Sequence, residues 1–300
     1  MNRLIWLDAV KGVGIISVVM GHVLGLRYVY AFHMPLFFLI SGYTFHLRED
    51  GFQYMKKLFF RLMVPYISFL VIINLTTYML YDMRLGFSSL IGGGGRLKGI
   101  FAVYWFVTVL YGALLMFNLM IKQKLIRLRW CLLCLLAIAY LLEFFKLEMP
   151  WCIQVIPMAM VFMTFGYIYK IKQKSLPNNY IIIIPIMIAI VLPFFSQELI
   201  IDMKYTNYGI PIFSLITSTL IVYGLVLVSM KYEKSFHPLA FIGKASILIM
   251  YLHMFIYYIL QHIGCSISTC LIFLCSILVP TGLYYWVRKN KIISFVLIGE

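Results

Sequence analysis

Four polar residues in the first part of the chain, Asp8, Lys11, His22 and His33, lie inside or beside two long apolar segments. Holding an ionisable side chain at bilayer depth costs about 3 kcal/mol on insertion scales, so the default reading of such residues is a functional site. An imidazole with an ordinary pKa near 6.5 takes up and returns protons at neutral pH, while Asp and Lys supply charge. The chemistry on offer is proton transfer, either inside a reaction or along a path through the membrane. The plain alternative is a set of satisfied structural contacts, one helical turn apart.

The spacing favours a site. Asp8, Lys11, Ile15, Val18 and His22 follow one another by three or four residues, which puts them on one stripe of a helix. Asp8 and His22 are then roughly 21 Å apart along the axis, most of the hydrocarbon thickness. The second apolar segment begins within a few residues. A connection as short as Leu26 to Tyr30 forces an antiparallel neighbour and brings His33 near the level of His22.

Other chemistry-bearing residues lie further along. His253 falls in the middle of an apolar segment, where an imidazole needs a partner or a watered cavity. His46, His237 and His262 sit at segment ends and read as interfacial. Lys56, Lys57 and Arg61 precede Pro65 and suit either anionic headgroups or a phosphate, for which Arg offers a planar fork and Lys a mobile charge. Trp105 and Phe106 open another segment as interfacial anchors or as walls of an outer pocket. Asn207 and Tyr208, with Gln197 and Glu198, combine aromatic and amide or carboxylate groups as sugar-binding surfaces do. Gly92 to Gly95 form a flexible run without the Lys and Ser/Thr of a phosphate loop. Cys131 and Cys134 lie in an apolar helix with no second pair, which argues for packing and against a metal; Cys265 and Cys270 could meet near the outer face.

These residues must be positioned by membrane helices. The composition is 63% hydrophobic and 12% charged, with a mean hydropathy of +0.97, which excludes an ordinary soluble domain. No cleavable signal peptide is expected, because the first segment carries Asp8 and Lys11 and runs into a second span. Apolar runs of about twenty residues, the length a crossing helix needs, fall at 4–25, 28–47, 62–82, 103–121, 130–147, 151–169, 180–197, 210–230, 245–263 and 268–287. The expectation is an all-α, polytopic bundle of about ten spans, one integral-membrane domain over 1–300 with no appended soluble domain.

Net charge of +15 does not point to nucleic acid, because the basic residues stand in short clusters between spans. With a cytoplasmic N-terminus, eighteen of them fall on the inner side, and only Arg27, Arg84, Arg96, Lys98, Lys146 and Lys204 on the outer. That asymmetry in short loops predicts both termini in the cytoplasm. His22 and His33 then lie toward the exterior and Asp8, Lys11, Lys57 and Arg61 toward the interior.

The chain resembles the acyltransferase-3 family of bacterial integral-membrane O-acyltransferases. The resemblance is carried by R-x-x-x-L-D-x-x-K-G (Arg3 to Gly12), His22, F-H-M-P-L-F-F-L-I-S-G-Y (Phe32 to Tyr43), and the basic run closing in Arg61 with Pro65-Tyr66; Trp105-Phe106 and Gly243 to His253 echo it more weakly. Lys11 stands where many members have Arg, and Lys57-Leu-Phe-Phe-Arg61 replaces an R-x-x-R. The resemblance implies acyl-CoA, usually acetyl-CoA, as co-substrate, no metal, and a hydroxyl of a surface or lipid-linked saccharide as acceptor, in a bacterial inner membrane. It implies His22 as general base or acyl relay, with His33 second. On that reading Asp8, Lys11, Lys57 and Arg61 are the candidates for the donor site and Trp105, Asn207 and His253 for the acceptor site. Membrane lipid and a second copy of the chain are further partners to consider. The rival reading is a secondary transporter using the buried Asp and His groups as a proton path; halves related by a repeat, which many transporters have, are not visible.

Overall fold

The structure, a computed structural model, describes residues 4–82, 85–123, 128–172, 183–262 and 267–300. Arg3, Arg84, Cys265 and positions 180–182, used in the arguments above, lie outside the described residues, as do Lys124, Arg127 and Lys174 among the eighteen inner basic residues. The fold is all-helical, 82% helix with no strands among the described residues. The helices are α1 (Ile5–Val23), α2 (His33–Thr44), α3 (Gly51–Tyr81), α4 (Phe87–Gly92), α5 (Trp105–Lys122), α6 (Leu128–Phe144), α7 (Ile156–Lys172), α8 (Ile183–Phe195), α9 (Phe213–Lys231), α10 (His237–Lys244), α11 (Ser246–His262), α12 (Thr269–Val287) and α13 (Lys291–Ile298).

Ten crossings were expected. Among the described residues, six helices are long and apolar enough to cross a membrane, or seven when α10 and α11 count as one span bent by 74°. The shortfall has local causes. The run at 28–47 breaks into a 3-10 turn, Arg27–Ala31, and the twelve-residue α2. At about 1.5 Å per residue α2 covers roughly 18 Å, against a hydrocarbon core of about 30 Å. Within the described residues the apolar helices at Trp130–Phe144 and Ile183–Phe195 are also shorter than a crossing needs. Pro35 sits in the first turn of α2, where a missing N–H breaks no helical bond. α3 departs the other way: its 31 residues start well before the expected apolar stretch, capped by Asp50, whose side chain accepts from the Gln53 N–H at 2.9 Å. Its first turns carry Lys56, Lys57 and Arg61.

α1 is the central helix, packed against α2, α9, α10, α11 and α12. Small residues let backbones meet without a hydrophobic drive, as membrane packing requires. A Cβ on Gly12 would lie 2.1 Å from the Leu239 carbonyl oxygen, and one on Gly243 would lie 1.8 Å from that of Asp8. α2 and α7 cross in the same way, with Gly42 against Met163 and Gly166 against Leu39, each at 1.9 Å. The Gly92 to Gly95 run is not a loose loop. Gly94, at φ +50°, packs so closely on the Trp151–Cys152 backbone that a Cβ would meet the Cys152 nitrogen at 2.5 Å. The bulk of the buried side chains forms one apolar core, and the exposed large hydrophobics on α3, α6, α8 and α12 suit a lipid boundary.

Candidate functional site

Because α1 carries one polar stripe and every neighbour packs around it, that stripe faces a single cavity of about 480 Å³. Lys11, Ile15, Val18 and His22 line it from α1, and His33, Met34, Phe37, Ile40, Ser41 and Thr44 from α2. One end is basic: Lys11, Arg61 from α3 and Lys244 from the last turn of α10, beside Glu300. The other end gathers His22, Tyr30, His33, Asp202, Lys204 and Tyr205. Trp105, Phe106 and Met250 form apolar wall, and the Phe106 ring lies 5.7 Å from that of Phe37.

The polar groups are held by local backbone geometry. The His33 Nδ1–H donates to the Val29 carbonyl at 2.8 Å, across the 3-10 turn that interrupts the expected span. A carbonyl can only accept, so the hydrogen resides on Nδ1 and a neutral His33 keeps its lone pair on Nε2. The Tyr30 ring stands edge-on to His33 at 4.7 Å and 6.1 Å from His22. The imidazole nearest His22 is not His33: it is His253, with ring centroids 5.4 Å apart. Asp8 is buried behind Lys11, its carboxylate 3.7 Å from the ammonium, outside the cavity wall.

Several sequence expectations land elsewhere. Lys57 lines a separate depression with Arg48, Lys56 and Tyr54, one turn from Arg61. Asn207 is exposed; its Oδ1 accepts from the Gly209 N–H at 3.1 Å and does not reach the cavity. His253 is fully buried and stands behind the wall. His46, His237 and His262 are exposed, as their positions imply.

Sequence reasoning missed Tyr30, Asp202, Lys204 and Lys244. Lys204 and Asp202 were visible only as charges of an outer loop. The Lys204 ammonium donates to the Leu97 carbonyl at 3.0 Å and is only 9% exposed. Burial pushes the Lys204 ammonium down from its usual range, and pushes the Asp202 carboxyl up against its neighbouring backbone N–H groups and Lys204. The one available signal was a Lys and an Asp two residues apart in a loop otherwise rich in Ile, Met and Tyr. Among the described residues no group of three metal-ligating side chains converges.

The arrangement joins a cationic mouth, an apolar passage and a cluster of imidazoles with one buried ammonium. It can hold an anionic head at one end and exchange a proton at the other. A family model for an acyltransferase domain matches residues 4–295 of the chain. No curated protein and no solved structure matches it.

Proposed function

We propose a function from the premise that the chain belongs to the acyltransferase-3 family, and is therefore a multi-pass membrane acyltransferase. The reading is an acyl-CoA-dependent O-acyltransferase that moves an acetyl or other acyl group to a saccharide hydroxyl at the outer face of a bacterial inner membrane. The observation that carries it is the single cavity with Lys11, Arg61 and Lys244 at one end and His22 and His33 at the other. Coenzyme A phosphates meet the cations at the cytoplasmic mouth, and the pantetheine arm follows the α1 stripe. Lys11 and His22 are eleven residues apart, about 16 Å along the helix, so the thioester reaches the imidazoles without the nucleotide leaving the mouth.

At that point the acceptor hydroxyl oxygen attacks the thioester carbonyl carbon while His22 takes the hydroxyl proton. The carbon–sulfur bond breaks, sulfur keeps the electron pair, and His22 returns the proton to it. Negative charge gathers on the carbonyl oxygen between these steps. Lys204 is the buried cation at that end and is assigned to stabilise it. Tyr30, Asp202 and Tyr205 are assigned to the acceptor sugar in place of Asn207.

The test is transfer of radiolabelled acetyl from acetyl-CoA to glycan by membranes carrying the protein, compared with folded His22→Ala. Label reaching sugar with the wild type alone supports the reading. Equal background from both, with a competent acceptor and several acyl-CoAs supplied, overturns it and leaves transport as the reading to test by flux.

A further inference from the structure

His253 is the least expected member of the imidazole cluster. It lies on α11, fully buried, and its Nδ1–H donates to the Ile249 carbonyl at 2.8 Å. That bond fixes the tautomer: Nδ1 carries the hydrogen, and Nε2 of the neutral ring offers a lone pair. Yet Nε2 is buried and has no hydrogen-bond partner. A buried acceptor left unpaired costs about 1–3 kcal/mol, so a native position of this kind demands a partner. The Ser276 hydroxyl is already engaged with the His253 carbonyl at 3.4 Å and does not supply one.

The partner at hand is His22. Its ring centroid is 5.4 Å from that of His253, with the planes tilted by 38°. Two imidazoles joined by one N–H···N bond of about 3 Å have centroids about 5 Å apart once the ring radii are added. Among the described residues the structure shows no hydrogen bond for the His22 ring, so no other group sets which of its nitrogens carries the hydrogen, and a small rotation of the two facing rings would close the pair. Tyr30 and Lys204 approach the same end of the cavity and offer no such lone pair; His33 has its Nε2 lone pair fixed in the same way by the Val29 carbonyl but lines the cavity, and the ring seated against His22 is that of His253.

We propose that His253 is a positioning residue for His22: its Nε2 accepts the His22 N–H, which turns the other His22 nitrogen, with its lone pair, toward the cavity. This rests on the reading of His22 as the base. During transfer the acceptor proton adds to that free nitrogen and leaves from it, and His253 keeps its own proton throughout, held by the Ile249 carbonyl. Ionised His22 is stabilised by the same Nε2 lone pair. The dyad therefore acts on the chemical step and not on donor binding, because His253 lies behind the wall and touches no ligand.

Two substitutions separate this from a packing role. His253→Phe keeps the ring volume and removes the acceptor; His253→Gln keeps an acceptor oxygen close to the Nε2 position. In purified, folded protein His253→Phe should lower kcat on the order of a hundredfold, within the range of a lost general base. KM for acyl-CoA should stay within about twofold, and His253→Gln should recover most of the loss. A fall carried by KM, a kcat within about threefold of wild type, or a Gln variant no better than Phe overturns the proposal. Imidazole nitrogen NMR of histidine-labelled protein gives a readout free of activity: one His22 tautomer in the wild type and a mixture in His253→Phe. The same spectrum in both overturns the dyad. A wild type that transfers nothing overturns the functional reading alone, and the tautomer comparison still decides the pairing.

Discussion

At the scale of single residues, the site is decided by which cations reach the cavity and not by how many the chain carries. Arg61 lines the basic mouth, whereas Lys57, one turn earlier on the same helix, faces a different depression. A charge-assisted contact to phosphate contributes about 1.5–3 kcal/mol, and an exposed charge off the site little. Arg61→Ala should therefore raise KM for acyl-CoA by about tenfold or more, and Lys57→Ala should change it by less than about twofold; initial rates against acyl-CoA concentration check both. Lys204 makes the complementary case. Its ammonium is buried at the histidine end and bonded to the Leu97 carbonyl. Loss of one oxyanion donor in a measured hydrolase costs about 10²–10³ in kcat. Lys204→Met should lower kcat on that scale with KM for the donor unchanged, whereas a change confined to the acceptor's KM assigns Lys204 to the sugar instead.

At the scale of elements, the cavity exists because helices approach closely at glycines and because the connection from α2 to α3 is pinned. Gly42 packs on α7 with no room for a methyl group. Overpacking of this kind costs about 1–3 kcal/mol or more, so Gly42→Ala should lower the melting temperature in detergent and loosen α2, which carries His33 and Ser41 into the cavity. The connection from α2 to α3 is held by Asn118, 2% exposed: its Oδ1 accepts from the Arg48 N–H at 2.9 Å and its amide donates to the Arg48 carbonyl at 3.0 Å. Lys122 and Lys170 also donate to carbonyls of this connection, those of Glu49 and Phe45. Asn118→Leu removes two hydrogen bonds of about 1 kcal/mol each. It should speed tryptic cleavage after Arg48 while leaving the far end of the protein protected, which fragment masses would show. None of these contacts was legible from sequence. A glycine such as Gly42 permits close approach, but its partner on α7 is some 120 residues away in the chain, and local spacing carries no information over that separation.

At the scale of the whole molecule, the expectation of ten crossings with a cytoplasmic N-terminus makes a testable statement about orientation. On that expectation the asymmetry of basic residues predicts the Arg48–Lys57 segment inside and the Lys204–Asn207 loop outside. In a chain with its native cysteines replaced, a cysteine at Glu49 should react with a membrane-impermeant maleimide only after permeabilisation, and one at Asn207 should react in intact cells. The reverse pattern would invert the donor and acceptor sides and with them the proposed route of coenzyme A. Most expected spans recur as helices within a few residues of their predicted bounds, since long apolar runs admit few other structures at bilayer depth. The span at 28–47 does not, because hydropathy reports burial and not whether a helix is continuous.

By itself the sequence determined a helical, membrane-embedded chain, the stripe from Lys11 to His22, and the presence of imidazoles at bilayer depth. These follow from local periodicity and from the cost of burying polar groups. Only the tertiary structure decided which groups share the cavity. It joined Lys244 and Arg61 from distant helices, bent α10 from α11, folded Asp202 and Lys204 inward, left Asn207 outside, and set His253 and not His33 against His22. Those outcomes depend on crossings between helices far apart in the chain, where small residues and orphaned hydrogen-bonding groups choose the neighbour.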